Sequence, residues 1–398
     1  MSLKVIFSYI SILIVLFSKT SVNAQSKYQK DFEEFCTVID NYYAYLEQQH
    51  IDWQKVRAIY EPESAKVTND TEFIRLLENV LHELYNGHSS LNVNLTTSNR
   101  LIPSGLDISV TQQGNRYWVT DLRKGFGADI AGIKTGMEVI AFNGKPIIPQ
   151  LQQFLPKFTD SPTPLMIQYA IDMLFAGTHD TKRTITVLEK GKEKMFNLVS
   201  YSNSSELLAY KIINSSTAYI KFNNSLGNTN VIAEFDKAVD SLFTYHNLII
   251  DLTETPSGGN TTVARAIMGR FITEQLPYQI HEFDEKEYKT KRHWVEYVTP
   301  RKTTYQGQVY LLVGRWTGSM GEGIAIGFNG MRRAQVIGTK MAGLLGAISN
   351  FSLSETKIGV QFPTERLYHI NGTPRENFSP DILTQNIEET ILKAKVIK

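Results

Sequence analysis

The chain has 398 residues, 42% of them hydrophobic, and a net charge of +1 from 41 basic and 40 acidic side chains. That length allows two or three domains with ample core, and the balanced charge gives no footprint for nucleic acid or another polyanion. One cysteine, Cys36, rules out an intramolecular disulfide and leaves the scattered histidines without thiolate companions for a metal site.

The first 24 residues read as a signal peptide. Lys4 supplies the positive start, Val5 to Phe17 form an apolar run too short for a comfortable membrane span, and Val22-Asn23-Ala24 has the small-residue spacing of a cleavage site. The mature chain is then expected to begin at Gln25, to be exported to the periplasm or beyond the cell, and to be soluble, because no later segment reaches about 18 uninterrupted apolar residues.

Residues 27–48 place Phe32, Phe35, Cys36, Ile39, Tyr42, Tyr43 and Leu46 at helical spacing, and residues 71–85 do the same with Phe73, Leu76, Leu77, Val80, Leu81 and Leu84. Cys36 on that stripe reads as a buried small hydrophobe. Asn69 or Asp70 caps the second helix and Gly87 stops it, so His88 follows a helix in "YNGHSSL". Residues 25–96 are expected to be a helical domain.

The periodicity changes near Leu101. "SGLDISV" and "RYWVTDL" read as strands, Asn143-Gly144 as a hairpin turn, and "RTITVLEKGKEKMFNLV" as two strands around Lys190-Gly191. Residues 147–165 look like an insertion. Residues 97–200 are taken as one β domain.

From about residue 205 strands and helices alternate: "AYIKF", helix 230–244, "NLIID", helix 261–273, "QVYLLV", helix 320–330 and "AQVIG". Such alternation implies crossover connections and a largely parallel sheet. Residues 201–398 are expected to be an α/β core, with the charged stretch 283–303 a loop with a solvated face.

Three places in this core bear on chemistry. In "VYLLVGRWTGSMGEGIAIGF" Ser319 occupies a strand–turn–helix at the carboxyl end of the sheet, where ligand sites gather. Two readings fit it: a helix N-cap, or a nucleophile whose neighbours Gly318 and Gly321 admit a substrate and whose following amide, Met320 N–H, faces an oxyanion. In "DLTETPSGGNTT", Gly258 and Gly259 place flexible backbone at the end of another strand, as an ordinary loop or as the rest of an oxyanion hole. A serine nucleophile needs a base. His82 reads as solvated or packed on its helix. His50, His179, His246, His281, His293 and His369 lack a companion signal. His88 follows a helix stop and adjoins Ser89 and Ser90. Glu376, in the loop "NGTPRENFSPDI", is a carboxylate able to orient an imidazole, or a plain solvated loop residue.

In this order, the pieces resemble the tail-specific (C-terminal processing) and tricorn-like serine peptidases. "GADIAGIKTGMEVIAFNGKPI" looks like the family's PDZ domain, "NLIIDLTETPSGGNT" like its strand-and-Gly-Gly motif, "VYLLVGRWTGSMGEGIAIGF" like its nucleophile segment and "NFSPDI" like its Pro-Asp motif. The resemblance implies a ClpP/crotonase-like α/β core with a PDZ-like domain and a helical unit. It also implies a serine endopeptidase without metal or cofactor, acting on peptides or proteins. The bacterial branch pairs its serine with a downstream lysine, but that position is Leu344 here, and Lys340 falls elsewhere in "IGTKMAG". The tricorn-like branch draws a histidine from the N-terminal helix-then-loop and a glutamate from before the Pro-Asp motif, matching His88 and Glu376. It also carries a second serine beside its histidine, a place Ser89 or Ser90 could take. Thr253 stands where the family has an arginine. The PDZ likeness implies peptide binding at Ser104 to Ile108, through Gly105, Leu106 and Ile108. Two other classes fit the same residues: a catalytically inactive binder of peptides or small ligands, and a serine esterase.

Overall fold

The computed structural model describes residues 25–199, 204–301 and 303–397; the expected signal peptide lies outside them. Three helices open the chain: Lys27–Tyr42, Trp53–Ser64 and Asp70–His82. Each starts on a side-chain cap, with Ser26, Asp52 and Asn69 accepting from the N–H of Gln29, Lys55 and Glu72. The apolar stripes of the first and third helices face one core, and they do not close it alone. Leu353, Val360 and Phe362, from far along the chain, complete it. Asp31 reinforces that junction: its buried carboxylate accepts the N–H of Glu355 and of Thr356 at 2.8 and 2.7 Å.

The second unit is an antiparallel sheet in the order Ile108–Gln113, Arg116–Leu122, Glu138–Phe142, Thr184–Glu189, Lys192–Asn197. Asn143 and Gly144 both have positive φ, as a two-residue hairpin turn requires. The stretch read as an insertion contains the helix Ile147–Leu151 and leads into a long apolar helix, Pro164–Ala176. The long helix packs on the edge strand Ile108–Gln113.

Two sheets make up the rest. The first runs Leu208–Ile212, Thr217–Phe222, Asn247–Asp251, Gln308–Val313, Gln335–Gly338, Ile382–Leu383, parallel in register except at its first pair. Asn247–Asp251 is buried along its whole length, as expected of a strand with helices on both faces. The second sheet is antiparallel. Ser90–Leu91, Gly359–Tyr368, Leu276–Glu285 and Thr290–Val298 lie side by side, and Ala347–Ser352 adds to Gly359–Tyr368. Residues 283–303 are therefore not a solvated loop. Leu276–Glu285 and Thr290–Val298 form a hairpin whose charges pair across strands: Arg366 binds Glu282 and Asp284. The helix Met320–Gly330 packs across Leu276–Glu285 and so joins the two sheets.

Candidate active site

Strand Gln308–Val313 ends, and the chain turns through Gly314 to Ser319 into the helix Met320–Gly330. Ser319 has φ 51° and ψ −111°, a region that ordinary residues avoid and that is kept where surroundings over-determine it. Its N–H donates to Glu322 Oε2 at 2.7 Å. Ser319 is the N-cap of this helix: its hydroxyl faces the Glu322 N–H in a capping box without closing a full side-chain cap hydrogen bond. Gly258, with φ 62°, lies against it: a Cβ there would be 2.4 Å from Ser319 Cβ, 2.9 Å from Oγ and 3.0 Å from Met320 N. Only a glycine lets the two loops meet so closely. The Met320 and Gly259 N–H groups have no acceptor among the described residues. Gly258 differs: its N–H donates to Thr255 O at 3.1 Å, so this glycine supplies space and its amide is already used.

His88 is buried. Its main-chain N–H donates to Asn86 Oδ1 at 3.0 Å, and its Nδ1–H donates to the Leu345 carbonyl at 2.7 Å. That bond fixes the tautomer and leaves Nε2 as the basic nitrogen. Burial pushes the imidazole down to about 4, with Arg375 adding to the effect and the Leu345 carbonyl opposing it. No hydrogen bond among the described residues joins His88 to Ser319 or to Glu376. Leu344 lies between the two loops, its side chain 3.2 Å from where a Gly87 Cβ would be and 3.1 Å from a Gly318 Cβ. The side chain in the lysine position is thus an apolar spacer, while Lys340 is exposed.

Glu376 is in a short 3-10 turn, Arg375–Asn377. Its Oε2 is buried without a partner, and burial raises its carboxyl. The neighbouring Arg375, 1% exposed, donates to the carbonyls of Leu344 and Gly346 at 2.8 and 3.0 Å. These carbonyls flank the one that holds His88. Thr253, in place of the family arginine, turns back on its own strand end, donating through N–H and Oγ1 to Asp251 Oδ1 at 2.8 and 2.6 Å.

Two groups escaped the sequence reading. Glu322, with no exposure, receives Ser319 N–H on one oxygen and Gly343 N–H on the other, at 2.7 and 2.8 Å, and faces Arg375 at 3.9 Å. Burial raises its carboxyl to about 7 against the pull of Arg375 and both amides. A lone carboxylate three residues after Ser319 in an apolar helix is the sequence sign of such a cap. His281 is also far from idle. It bonds Glu365 at 2.7 Å and Glu296 at 3.2 Å and stacks on Trp294 with centroids 4.7 Å apart. Burial pulls its imidazole down, but the two carboxylates outweigh this and raise it. No spacing rule links residues 281, 296 and 365.

Of the expected peptide-binding positions, Gly105 and Leu106 have their amides bonded to Leu101 O and Pro103 O at 2.6 and 3.1 Å, and Leu106 O accepts Trp316 Nε1 at 2.7 Å. Ile108 is fully buried. On the sheet edge, Gln168 Nε2 donates to Val110 O at 3.0 Å. Ser90 is in strand register with Gln361, and Ser89 Oγ is buried with no partner.

A sharp serine turn, a glycine-lined opposite loop and a tautomer-fixed imidazole are groups that acyl transfer uses. Residues 216–384 match peptidase family S41, and residues 24–82 match the tricorn protease C1 domain. The chain carries a peptidase family S41 domain behind a tricorn protease C1 domain, and the two together support a serine-type peptidase of the tail-specific, tricorn-like kind. Among solved structures it shares its fold with mature CPAF complexed with lactacystin (TM-score 0.65, 13% identity, 93% of this chain and 97% of that one). It is also similar to the photosystem II D1 C-terminal processing protease (0.57, 15%, 91% and 94%) and to a putative peptidase from Parabacteroides merdae (0.56, 14%, 94% and 98%). No curated protein sequence matches the chain. No helix among the described residues is long and apolar enough to cross a membrane.

Proposed function

We propose that the chain is an exported endopeptidase whose nucleophile is Ser319 and whose base is His88. The observation that carries this is the Ser319 turn: a hydroxyl held at positive φ, a glycine cleared away in front of it, and an unbonded Met320 N–H beside it. In this reading Ser319 Oγ adds to the scissile carbonyl and its proton passes to His88 Nε2. The oxyanion meets the Met320 and Gly259 amides, one such donor being worth about 10²–10³ in rate. The intermediate collapses, His88 gives the proton to the leaving amine, and water clears the acyl-enzyme by the same steps. The Leu345 carbonyl orients the imidazole. Glu376 is assigned the charge of the imidazolium, on the strength of its buried, unpartnered oxygen. Catalytic hydrogen bonds often tighten only around substrate, so seating a peptide is the step that brings Oγ to Nε2. Neither Ser89 nor Ser90 is required for these steps.

Residues 97–200 are assigned as a PDZ-like unit on a ClpP/crotonase-like core spanning 201–398, with 25–96 the helical unit. The edge strand Ile108–Gln113 beside Pro164–Ala176 supports this. A peptide adding to that edge displaces Gln168 from Val110. The test of the whole reading is turnover of peptide and ester substrates in parallel. His88→Ala should lower kcat by several orders of magnitude, whereas Lys340→Ala should keep most activity. The reverse pattern points to a rearranged serine–lysine enzyme. Ester turnover alone points to an esterase.

A further inference from the structure

Next to His88 is an open cavity of about 290 Å³, lined by residues of the helix Asp70–His82, the loop 86–102 and the helix Pro164–Ala176. Gly87 and Ser89, the neighbours of His88 on either side, are both on its wall. Two of the lining residues carry a buried polar atom that has no hydrogen-bond partner among the described residues: His82 at Nδ1 and Ser89 at Oγ. The His82 ring is held edge-on to Phe154 and Tyr169, at 5.4 and 6.3 Å between centroids. Burial lowers its imidazole to about 4, so it is neutral near pH 7.

Buried polar atoms are nearly always paired, and an exception calls for an explanation. We propose that this cavity is a specificity subsite taking a carboxamide side chain, asparagine or glutamine, of the peptide substrate, with His82 and Ser89 as its hydrogen-bonding groups. The inference rests on the assignment of Ser319 and His88 above, since a peptide seated at His88 brings its neighbouring side chains to this mouth. A carboxamide carries one donor end and one acceptor end, which a neutral imidazole and a hydroxyl can answer. A charged side chain finds no net charge. Arg75 is already engaged with Thr97 Oγ1 at 3.1 Å, and Glu78 accepts from Ser98. An apolar side chain would leave both orphan atoms unpaired.

The test is a series of peptides on the full-length mature protein, varied one position at a time with Gln against Met, Glu and Lys and with Asn against Leu. One position should favour the carboxamide by at least about tenfold in kcat/KM, roughly the value of one or two hydrogen bonds. In His82→Phe the Gln-to-Met ratio at that position should fall to within about twofold, whatever the overall rate. Asn94→Trp, placed at the exposed rim, should do the same and stands in if the first variant does not fold. An unchanged ratio in the folded variants overturns the proposal. So does the absence of any carboxamide preference in a protein whose Ser319 reacts with a fluorophosphonate. If Ser319 does not react at all, the assignment of Ser319 as nucleophile fails and the subsite falls with it.

Discussion

His88 shows how burial sets chemistry at a single residue. A solvated imidazole titrates near about 6.5, but enclosure holds this one down to about 4. As the proposed base, His88 must be neutral to accept the serine proton. The acidic limb of kcat/KM is therefore expected to rise as pH climbs through about 4 and to be flat well before neutrality. A limb centred near 6.5 would mean that the ring is solvated. The same shift carries a stability cost. Between 4 and 6.5 the unfolded chain binds a proton that folded His88 refuses, so its contribution to stability declines as pH falls through 6.5 towards 4. Glu322 acts in the opposite sense. Its folded value of about 7 exceeds the ordinary 4.5, so its contribution is present at low pH and is lost as pH rises from 4.5 through 7. The positions of Ser319 and His88, a turn between strand and helix and a loop after a helix stop, were legible because each carries a local signature. The Glu322–Arg375 pair was not, because its members are 53 positions apart (375 − 322) and meet only once the sheet is built.

Among elements, the parallel strands and the Ser319 helix were readable from period and turn residues, since their apolar runs are continuous and buried on both faces. The hairpin from Leu276 to Val298 was not. Much of Thr290–Val298 is exposed and charged, and what steadies the sheet there is cross-strand ion pairing around Arg366 and Glu282. A charge-rich strand looks like a loop when its partners are unknown. The opening between the Ser319 turn and the Gly258 loop is a property of two elements together, and it yields a prediction. Gly258→Ala puts a Cβ into positive-φ backbone and 2.4 Å from Ser319 Cβ. Reaction of Ser319 with a small fluorophosphonate should slow by about a hundredfold or more, on the scale of losing one oxyanion donor, while the far-ultraviolet circular dichroism stays native. A variant that reacts at the native rate would show that the two loops do not meet as described.

At the scale of the molecule, buried links tie residues 97–200 to the α/β core. Trp316, three residues before Ser319, reaches the Leu106 carbonyl, and Arg123 donates to Glu254 at 2.8 Å and to Ser104 O at 2.9 Å. Both members of the Arg123–Glu254 pair are largely enclosed, at 4% and 12% exposure. Removing one partner of such a pair strands the other, at about 3–5 kcal/mol. Arg123→Ala should thus lower the unfolding free energy by that order in denaturant titration, and Arg123→Ala/Glu254→Ala together should recover part of it. Full additivity of the two losses would show the pair to be uncoupled. The passage from helices to antiparallel strands and then to alternating strands and helices was visible in the sequence as changes of period. The contacts between units were not, because a helix completing its core with Phe362 has no local mark of doing so.

The central claim is that Ser319 is the nucleophile. Its most direct test is mass-spectrometric mapping of the residue modified by a fluorophosphonate on the folded protein. A single adduct on Ser319, absent from a folded Ser319→Ala variant, is the expected result. An adduct on any other residue, or one that persists at the same rate in Ser319→Ala, would contradict it.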